Sequence, residues 1–137
     1  MSEILVVMTK QVSLLLGFLL FWAVSAQAQS DAVVALKSAK SIYVKSSSVL
    51  VGRSVIEEKL QKRAEFSQMN LVITRDEAVA DIILEVHHDV LTKYVYTAVD
   101  SKRNIVVASG KLSSLGGTVA GKVAKKFLKQ VMQARQS

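Results

Sequence analysis

The sequence contains no cysteine and no proline. Without cysteine the chain forms no disulfide bonds, so its folded part has to be held together by a hydrophobic core. The absence of cysteine also excludes thiolate zinc sites, a cysteine nucleophile and lipid attachment at a lipobox cysteine. Without proline, no strand or helix is interrupted by a residue that lacks a backbone N–H group.

Aromatic residues make up only 6% of the chain. The basic residues are not interleaved with aromatic side chains, which are the stacking platforms for single-stranded nucleic acids. The sequence therefore argues against nucleic-acid binding.

Residues 1–28 have the pattern of a secretory signal peptide. An apolar run, Val12–Val24, follows Lys10 and precedes the small residues Ala26 and Ala28. This pattern predicts cleavage after Ala28, which leaves residues 29–137 as one exported domain. The alternative is an uncleaved anchor, although a membrane-spanning helix usually needs about 20 apolar residues.

Two methionines could begin this leader. Glu3 is unusual in the segment of a signal peptide that should be positively charged, whereas Met8 is followed closely by Lys10. The start therefore stays open between Met1 and Met8, and the charge pattern favours Met8.

The exported part is basic. Residues 1–28 contain one lysine and one glutamate, so their removal leaves the net charge of +7 unchanged. In an exported protein, an excess of lysine and arginine favours binding to anionic lipid or to an acidic polymer. The alternative is that the charge only keeps the protein soluble.

Five segments rich in β-branched and aromatic residues have the pattern of strands. A polar run, Asp100–Asn104, predicts a hairpin turn between the last two. The predicted strands are Ser41–Lys45, Asn70–Asp76, Asp81–Leu91, Lys93–Asp100 and Asn104–Leu112.

A helix is predicted between the first two strands. Ser54 and Glu57 have the spacing of a capping box, in which each side chain accepts from the backbone of the other. The helix is expected to end between Ser67 and Asn70. Its predicted apolar stripe consists of Ile56, Leu60 and Ala64.

A second helix is predicted from about Thr118 to Gln133, and residues 32–39 are left open as a short helical turn. The order of elements is then β-α-β-β-β-β-α. We expect an α/β fold in which a mixed five-stranded sheet carries both helices on one face as a two-layer sandwich. No repeat or linker divides residues 29–137, so a single domain is expected.

The stretch Gly116–Val123 comes within one residue of a phosphate-binding P-loop. It matches G-x-x-x-x-G-K, but Val123 stands where a serine or threonine should hold magnesium. We therefore expect no nucleotide binding. Thr118 is instead predicted to cap the last helix, and Gly121 to let that helix approach the sheet closely.

Glu85, His87 and Asp89 lie at alternate positions of the third predicted strand, so their side chains share one face. Their oxygen and nitrogen atoms could bind zinc or manganese. The alternative, which we favour, is a solvated outer face without metal, because neighbouring ligands on a flat strand rarely converge on one ion. His88, on the opposite face, is predicted to lie at the edge of the core.

The last helix carries a row of basic residues opposite an apolar stripe. The stripe consists of Ala120, Val123, Ala124, Phe127, Leu128 and Val131. The basic residues could bind an anionic membrane or polymer. The alternative is that the stripe covers the sheet while the ammonium groups stay in water. The basic residues are Lys122, Lys125, Lys126 and Lys129.

No catalytic constellation is apparent. Ser54 lacks the following glycine that a nucleophile elbow requires, and no pair of carboxylates is placed for glycoside hydrolysis. We expect a non-enzymatic protein that needs no cofactor.

Three segments together resemble a family of small exported envelope domains. They are the strand Ala80–Val86 (ADIILEV), the hairpin Val99–Leu112 and the helix Val119–Val131. Their order is similar to that of the amino-terminal domain of TolB and of the periplasmic part of the curli secretion protein CsgG. The resemblance extends over residues 40–133. It implies a module for protein interaction or envelope assembly, with no catalytic residues.

We therefore expect an exported domain, periplasmic or secreted and not lipidated, that binds another envelope protein by lending a sheet edge. One alternative is binding of anionic lipid or polymer through the basic C-terminal helix. Another is a metal-dependent hydrolase that uses Glu85, His87 and Asp89.

Overall fold

The structure is a computed structural model, which describes residues 27–114 and 118–137. The chain divides into two compact units, Met1–Asp31 and Ala32–Ser137. In the first unit the described residues, 27–31, are helical. The rest of the predicted signal peptide, and two glycines of the P-loop-like stretch, lie outside the described residues. The sheet and its core belong to the second unit.

The second unit contains five strands and several helices. The strands are β1 Ser41–Ser46, β2 Val72–Ile73, β3 Ile82–His88, β4 Lys93–Asp100 and β5 Ile105–Ser113. The helices are α1, of which residues 32–38 belong to this unit, α2 Arg53–Gln61, α3 Ala64–Gln68 and α4 Val119–Gln136. A 3-10 turn, Glu77–Val79, precedes β3.

The five strands form one mixed sheet in the order β2-β1-β3-β4-β5. β1 pairs in parallel with both β2 and β3, whereas β4 pairs antiparallel with β3 and with β5. Because β1 and β2 are parallel, α2 and α3 form the crossover of the predicted βαβ unit. The predicted α/β class and the mixed five-stranded sheet are confirmed. The two-layer arrangement stays a prediction.

Alternate strand residues point into one core. Ile42 of β1 lies beside Ile82 of β3, and Val44 lies beside Leu84; all four are fully buried. The residues between them are half-buried or exposed, as expected when one face of a sheet carries the core. The predicted apolar stripe of α4 is confirmed, since its members are also buried: Ala120, Val123, Ala124, Phe127, Leu128 and Val131.

Residues 32–39, which the sequence left open as a helical turn, are helical as far as residue 38 and belong to α1. In α1, Ala35 and Leu36 are buried, and Ala39 just after the helix is buried with them. Val33 and Val34 are β-branched and have low helix propensity, which weakens the helical signal of this segment. Packing of the small alanines against the core outweighs that local preference.

The predicted capping box is wrong. Gly52 is the N-cap of α2, and no side chain caps the first turn. Ser54 is exposed within the helix. Glu57 is buried, and its carboxylate pairs with the guanidinium groups of Arg53 at 2.7 Å and Arg75 at 3.6 Å. A buried carboxylate takes these cations in preference to a backbone N–H group, because the charged partners offset its desolvation.

The helix predicted as one element is divided into α2 and α3. Ile56 and Leu60 are buried as expected, but Ala64 is exposed because the chain turns before α3 begins. The strand predicted over Asn70–Asp76 is reduced to Val72–Ile73. It lies at the edge of the sheet, where only β1 offers backbone partners.

Candidate anion-binding groove

The candidate site lies where α4 contacts β5, the other edge strand of the sheet. Three α4 side chains donate hydrogen bonds to β5 carbonyl oxygens. These are Lys122 Nζ to Ser113 at 2.8 Å, Lys126 Nζ to Lys111 at 3.0 Å and Gln130 Nε2 to Ser109 at 3.0 Å. The residue numbers of the donors increase along α4 while those of their acceptors decrease along β5, so the two elements run in opposite directions.

Helix and strand geometry explains this match. Residues four apart on a helix are separated by about 6 Å along the axis, and residues two apart on a strand by about 6.8 Å. In an antiparallel edge strand, every second residue directs its carbonyl away from the sheet. A helix with donors at every fourth position can therefore satisfy successive free carbonyls of the edge.

A groove of about 510 Å³ lies between the two elements. Its lining consists of Leu112, Ser113 and five lysines: Lys111, Lys122, Lys125, Lys126 and Lys129. All five lysines are exposed, and no acidic residue contributes to the lining over the described ranges. A concave surface with charge of one sign concentrates ions of the opposite sign, so this groove favours an anionic ligand.

The lysines of the groove fall into two groups. Lys122 and Lys126 hold their ammonium groups against β5 carbonyls, whereas Lys125 and Lys129 lie one turn apart on the exposed side. An adjoining pocket of about 270 Å³ shares Lys111 and adds Lys93 and one acidic residue, Asp89. The basic surface therefore continues from α4 across β5 to the start of β4.

Tyr96 links α4 to the sheet beneath the groove. Its hydroxyl donates to Gln130 Oε1 at 2.6 Å, and Gln130 in turn donates to the carbonyl of Ser109. Burial raises the pKa of Tyr96, so the hydroxyl keeps its proton at neutral pH. The ring lies over Gly110 of β5, where an added Cβ would come within 2.5 Å of Tyr96 Cε1. Only glycine leaves room for this ring.

The residues predicted as a possible metal site lie at the end of β3. Glu85 and His87 are half-buried at alternate positions, and Asp89 is exposed just beyond the strand. Over residues 27–114 and 118–137, no three or more His, Asp and Glu side chains are grouped so that they could hold a metal ion.

His88 ends β3 and is exposed. Its ring lies 4.8 Å from the ring of Tyr94, which is buried, and its Nε2 hydrogen-bonds with the carbonyl of Leu91. The side chain therefore supports the β3–β4 turn.

The described part of the P-loop-like stretch has structural roles. Thr118 is the N-cap of α4 as predicted, but its hydroxyl hydrogen-bonds with Ser114 and does not cap a backbone N–H group. A Cβ on Gly121 would meet no atom within 4 Å, so the predicted close approach of helix and sheet at this residue is wrong.

Sequence reasoning found the four lysines of α4 but not Lys111 and Lys93. Both are at outward-facing positions of strands, next to buried residues. Alternation along the strand could have shown that they point away from the core. Their position beside α4 depends on β5 being the edge strand, which a single sequence does not reveal.

No protein-family model matches the chain. No curated protein matches it either. In the residues that the structure describes, no helix combines the length and the hydrophobicity needed to cross a bilayer.

Several solved structures are similar to this chain. TolB from Acinetobacter baumannii is 8% identical with a TM-score of 0.48, over 71% of this chain and 28% of TolB. A PelC dodecamer from Paraburkholderia phytofirmans is 17% identical with a TM-score of 0.42, over 71% of this chain and 90% of PelC. A lipoprotein from Neisseria meningitidis is 14% identical with a TM-score of 0.32, over 69% of this chain and 99% of the lipoprotein.

The chain thus spans little more than a quarter of the length of TolB. The predicted resemblance to TolB is confirmed as a weak structural similarity. The resemblance to CsgG stays a prediction.

Proposed function

We propose that this chain is a non-enzymatic, exported domain that binds an acidic partner protein in the bacterial envelope. The observation that carries the proposal is the groove between β5 and α4, with five lysines and no acidic residue in its described lining. The signal-peptide pattern of residues 1–28 supports export. The absence of cysteine supports an unlipidated, periplasmic or secreted protein.

The chemistry of the groove supports binding and not catalysis. General acid–base catalysis needs a donor and an acceptor of protons with suitable pKa values. The described lining offers lysines, a leucine and a serine, and the hydroxyl of Ser113 hydrogen-bonds with Thr92 at 3.2 Å. Several ammonium groups around one concavity can instead pair with several carboxylates of a partner.

The groove is a better docking surface than a sheet edge. At β5, side chains of α4 already satisfy the outward carbonyls of Ser109, Lys111 and Ser113. At the opposite edge, β2 is only two residues long. Short or covered edges offer few backbone groups to an added strand. We therefore assign the partner to the groove.

Charge reversal at Lys125 and Lys129 tests this proposal. The variant Lys125→Glu/Lys129→Glu should reduce partner capture at least about tenfold, because opposing charges are replaced by like charges. These two residues are chosen because Lys122 and Lys126 also hold α4 to β5. A photoreactive amino acid at position 129, activated in living cells, would give a crosslinked protein to be identified by mass spectrometry.

The matched control is Lys59→Glu/Lys62→Glu, within α2 and at its C-cap, which changes the net charge equally. Lys62 pairs with Glu58 on the surface, and loss of such a pair costs at most about 1 kcal/mol. The control should capture the partner like the wild type. Equal capture by the groove variant, or crosslinking at position 129 that recovers no protein, would contradict the proposal.

The same lysines favour a second candidate function, which is binding of an anionic lipid or polymer through α4. Lys122, Lys125, Lys126 and Lys129 all line the groove. This function would appear as binding to a defined polyanion such as poly-glutamate that disappears in high salt. It is the better description if no protein crosslinks at position 129 while such binding depends on the same lysines.

A further inference from the structure

Two loops at one end of the sheet expose apolar side chains. Val49 and Leu50, between β1 and α2, are 101% and 75% exposed, and Val90 and Leu91, between β3 and β4, are 57% and 84% exposed. β1 and β3 are parallel neighbours, and the N–H of Ser47 donates to the carbonyl of Val86 at 3.1 Å. Both loops therefore leave the sheet at the same end. We call these four residues the apolar tips.

The first loop holds its tip residues outward. Ser46 Oγ donates to the carbonyl of Val51 at 2.5 Å, and Val51 is buried. The N–H of Ser48 donates to Ser46 Oγ at 3.3 Å, and the N–H of Leu50 donates to Ser48 Oγ at 3.2 Å. The loop is thus anchored on both sides, so the exposure of Val49 and Leu50 belongs to a defined conformation.

In the second loop, Leu91 has a backbone conformation that is unfavourable for leucine. Among the described residues, three that are not glycine have a positive φ: Asn70, Leu91 and Asn104. Asparagine tolerates this left-handed region because its side chain bonds locally, whereas other side chains crowd the backbone. Leu91 has a φ of 53° and exposes most of its side chain. Folding alone would favour asparagine or glycine at this position, so the leucine suggests a binding role.

Basic residues flank the apolar tips. Lys93 follows Leu91 by two residues, and the pocket beside it contains Lys93 and Lys111 against one carboxylate, Asp89. Lys122 is at the same end, since its ammonium group binds the carbonyl of Ser113 at the end of β5. Apolar side chains surrounded by cations match the interface of a membrane that contains anionic lipid.

We propose that the apolar tips dock this domain on an anionic bilayer. Val49, Leu50, Val90 and Leu91 enter the interface, and the neighbouring lysines bind the headgroups. Two narrow loops suit insertion between lipids better than they suit a flat protein surface. This inference does not rest on the protein partner of the groove, which uses Lys125 and Lys129.

Vesicle co-sedimentation tests the inference on the exported protein, with its N-terminus determined by mass spectrometry. Vesicles of phosphatidylcholine alone are compared with vesicles that also contain phosphatidylglycerol. The wild type should bind the anionic vesicles, and more weakly as salt is raised. The variant Leu50→Ser/Leu91→Asn should reduce binding at least about tenfold, because each leucine loses apolar area that the membrane would cover.

The matched control is Val79→Ser/Val106→Ser. These valines are 63% and 57% exposed but lie at the opposite end of the sheet, before β3 and at the start of β5. The control should bind like the wild type. A retained leader would bind vesicles by itself and hide the loss in the tip variant, so the three proteins are compared only as material whose determined N-terminus is Gln29.

A thermal unfolding curve separates lost binding from lost structure. Leu91→Asn should raise the melting temperature while it weakens vesicle binding, since asparagine suits the positive φ. The inference is overturned if the wild type does not bind anionic vesicles or if the tip variant binds them as well as the control does. It is also overturned if the tips only mediate self-association, which sedimentation without vesicles would detect.

Discussion

At the scale of single residues, Asp81 explains part of the ADIILEV segment. Its carboxylate accepts hydrogen bonds from the N–H groups of Lys40 at 2.8 Å and Ser41 at 3.1 Å. Its own N–H donates to the hydroxyl of Ser41 at 2.9 Å. Burial opposes ionisation of Asp81, but these hydrogen bonds outweigh it and hold the pKa below its ordinary value. One aspartate therefore joins the starts of β1 and β3.

The lowered pKa of Asp81 predicts a specific loss of stability in acid. Its folded pKa is below its unfolded pKa, which is about 3.9, so the stabilisation is present above pH 4 and is lost as the pH falls through the folded value. Asp81→Asn keeps one acceptor oxygen but loses the charge, and should cost about 1 kcal/mol at pH 7. Urea unfolding at pH 7 and pH 3 measures this.

The wild type should lose more stability between these two pH values than Asp81→Asn does. Asp76→Asn is a suitable control, because Asp76 is exposed and accepts one N–H, that of Ala78, at the 3-10 turn. An identical pH dependence of the wild type and Asp81→Asn would show that the carboxylate has no such role.

At the scale of secondary-structure elements, α4 covers the edge strand β5. The donors Lys122, Lys126 and Gln130 satisfy the edge of β5, and Tyr96 fixes Gln130 from β4. Without this cover, β5 would present a row of free carbonyls to other chains. The same arrangement leaves Lys125 and Lys129 turned towards solvent, where a ligand can reach them.

Replacement of two glycines by alanine tests this arrangement, and the two substitutions should change stability in opposite directions. Gly110→Ala should destabilise the protein by about 1–3 kcal/mol, since its Cβ would collide with the buried ring of Tyr96. Gly121→Ala should stabilise it by about 0.5–1 kcal/mol, because the site is open and alanine is the better helix former. Thermal or urea unfolding of both variants provides the measurement. Destabilisation by Gly121→Ala would contradict the open space that the structure leaves beside this glycine.

At the scale of the whole molecule, six of the twelve described lysines lie beside one end and one edge of the sheet. The overall charge of +7 alone is compatible with simple solubility. The lysines along α4 and β5 are the basis of the proposed surface for anionic partners. The apolar tips lie at the end of the sheet where this basic surface begins.

The N-terminus of the mature protein tests whether the chain is exported with cleavage of its leader. We predict that the mature protein begins at Gln29, because Ala26 and Ala28 form a small-x-small cleavage site after the apolar run. Mass spectrometry of the protein from an envelope fraction should give this N-terminus. A peptide that begins earlier would show that the leader is retained, in which case vesicle binding of the wild type alone would be ambiguous.

Local sequence patterns predicted the five strands and the apolar stripe of α4, although β2 is shorter than predicted. Apolar residues at alternate positions, such as Ile82, Leu84 and Val86, indicate a strand. Apolar residues four apart, such as Val123 and Phe127, indicate a helix. Both patterns are local, so they can be recognised without knowledge of the tertiary structure. The hairpin between β4 and β5 could also be predicted from the local sequence, because its turn is a polar run that ends in an asparagine. In the structure this residue, Asn104, has a left-handed backbone conformation, which asparagine tolerates.

Only the tertiary structure decided which distant residues meet. Lys111 and Lys93 join the lysines of α4 because β5 is an edge strand, and Glu57 is buried because Arg53 and Arg75 surround it. The apolar tips lie at the same end of the sheet because β1 and β3 are parallel neighbours, although some forty residues separate the two loops in the chain. Strand order depends on contacts between segments far apart in sequence, and local patterns carry little information about those contacts.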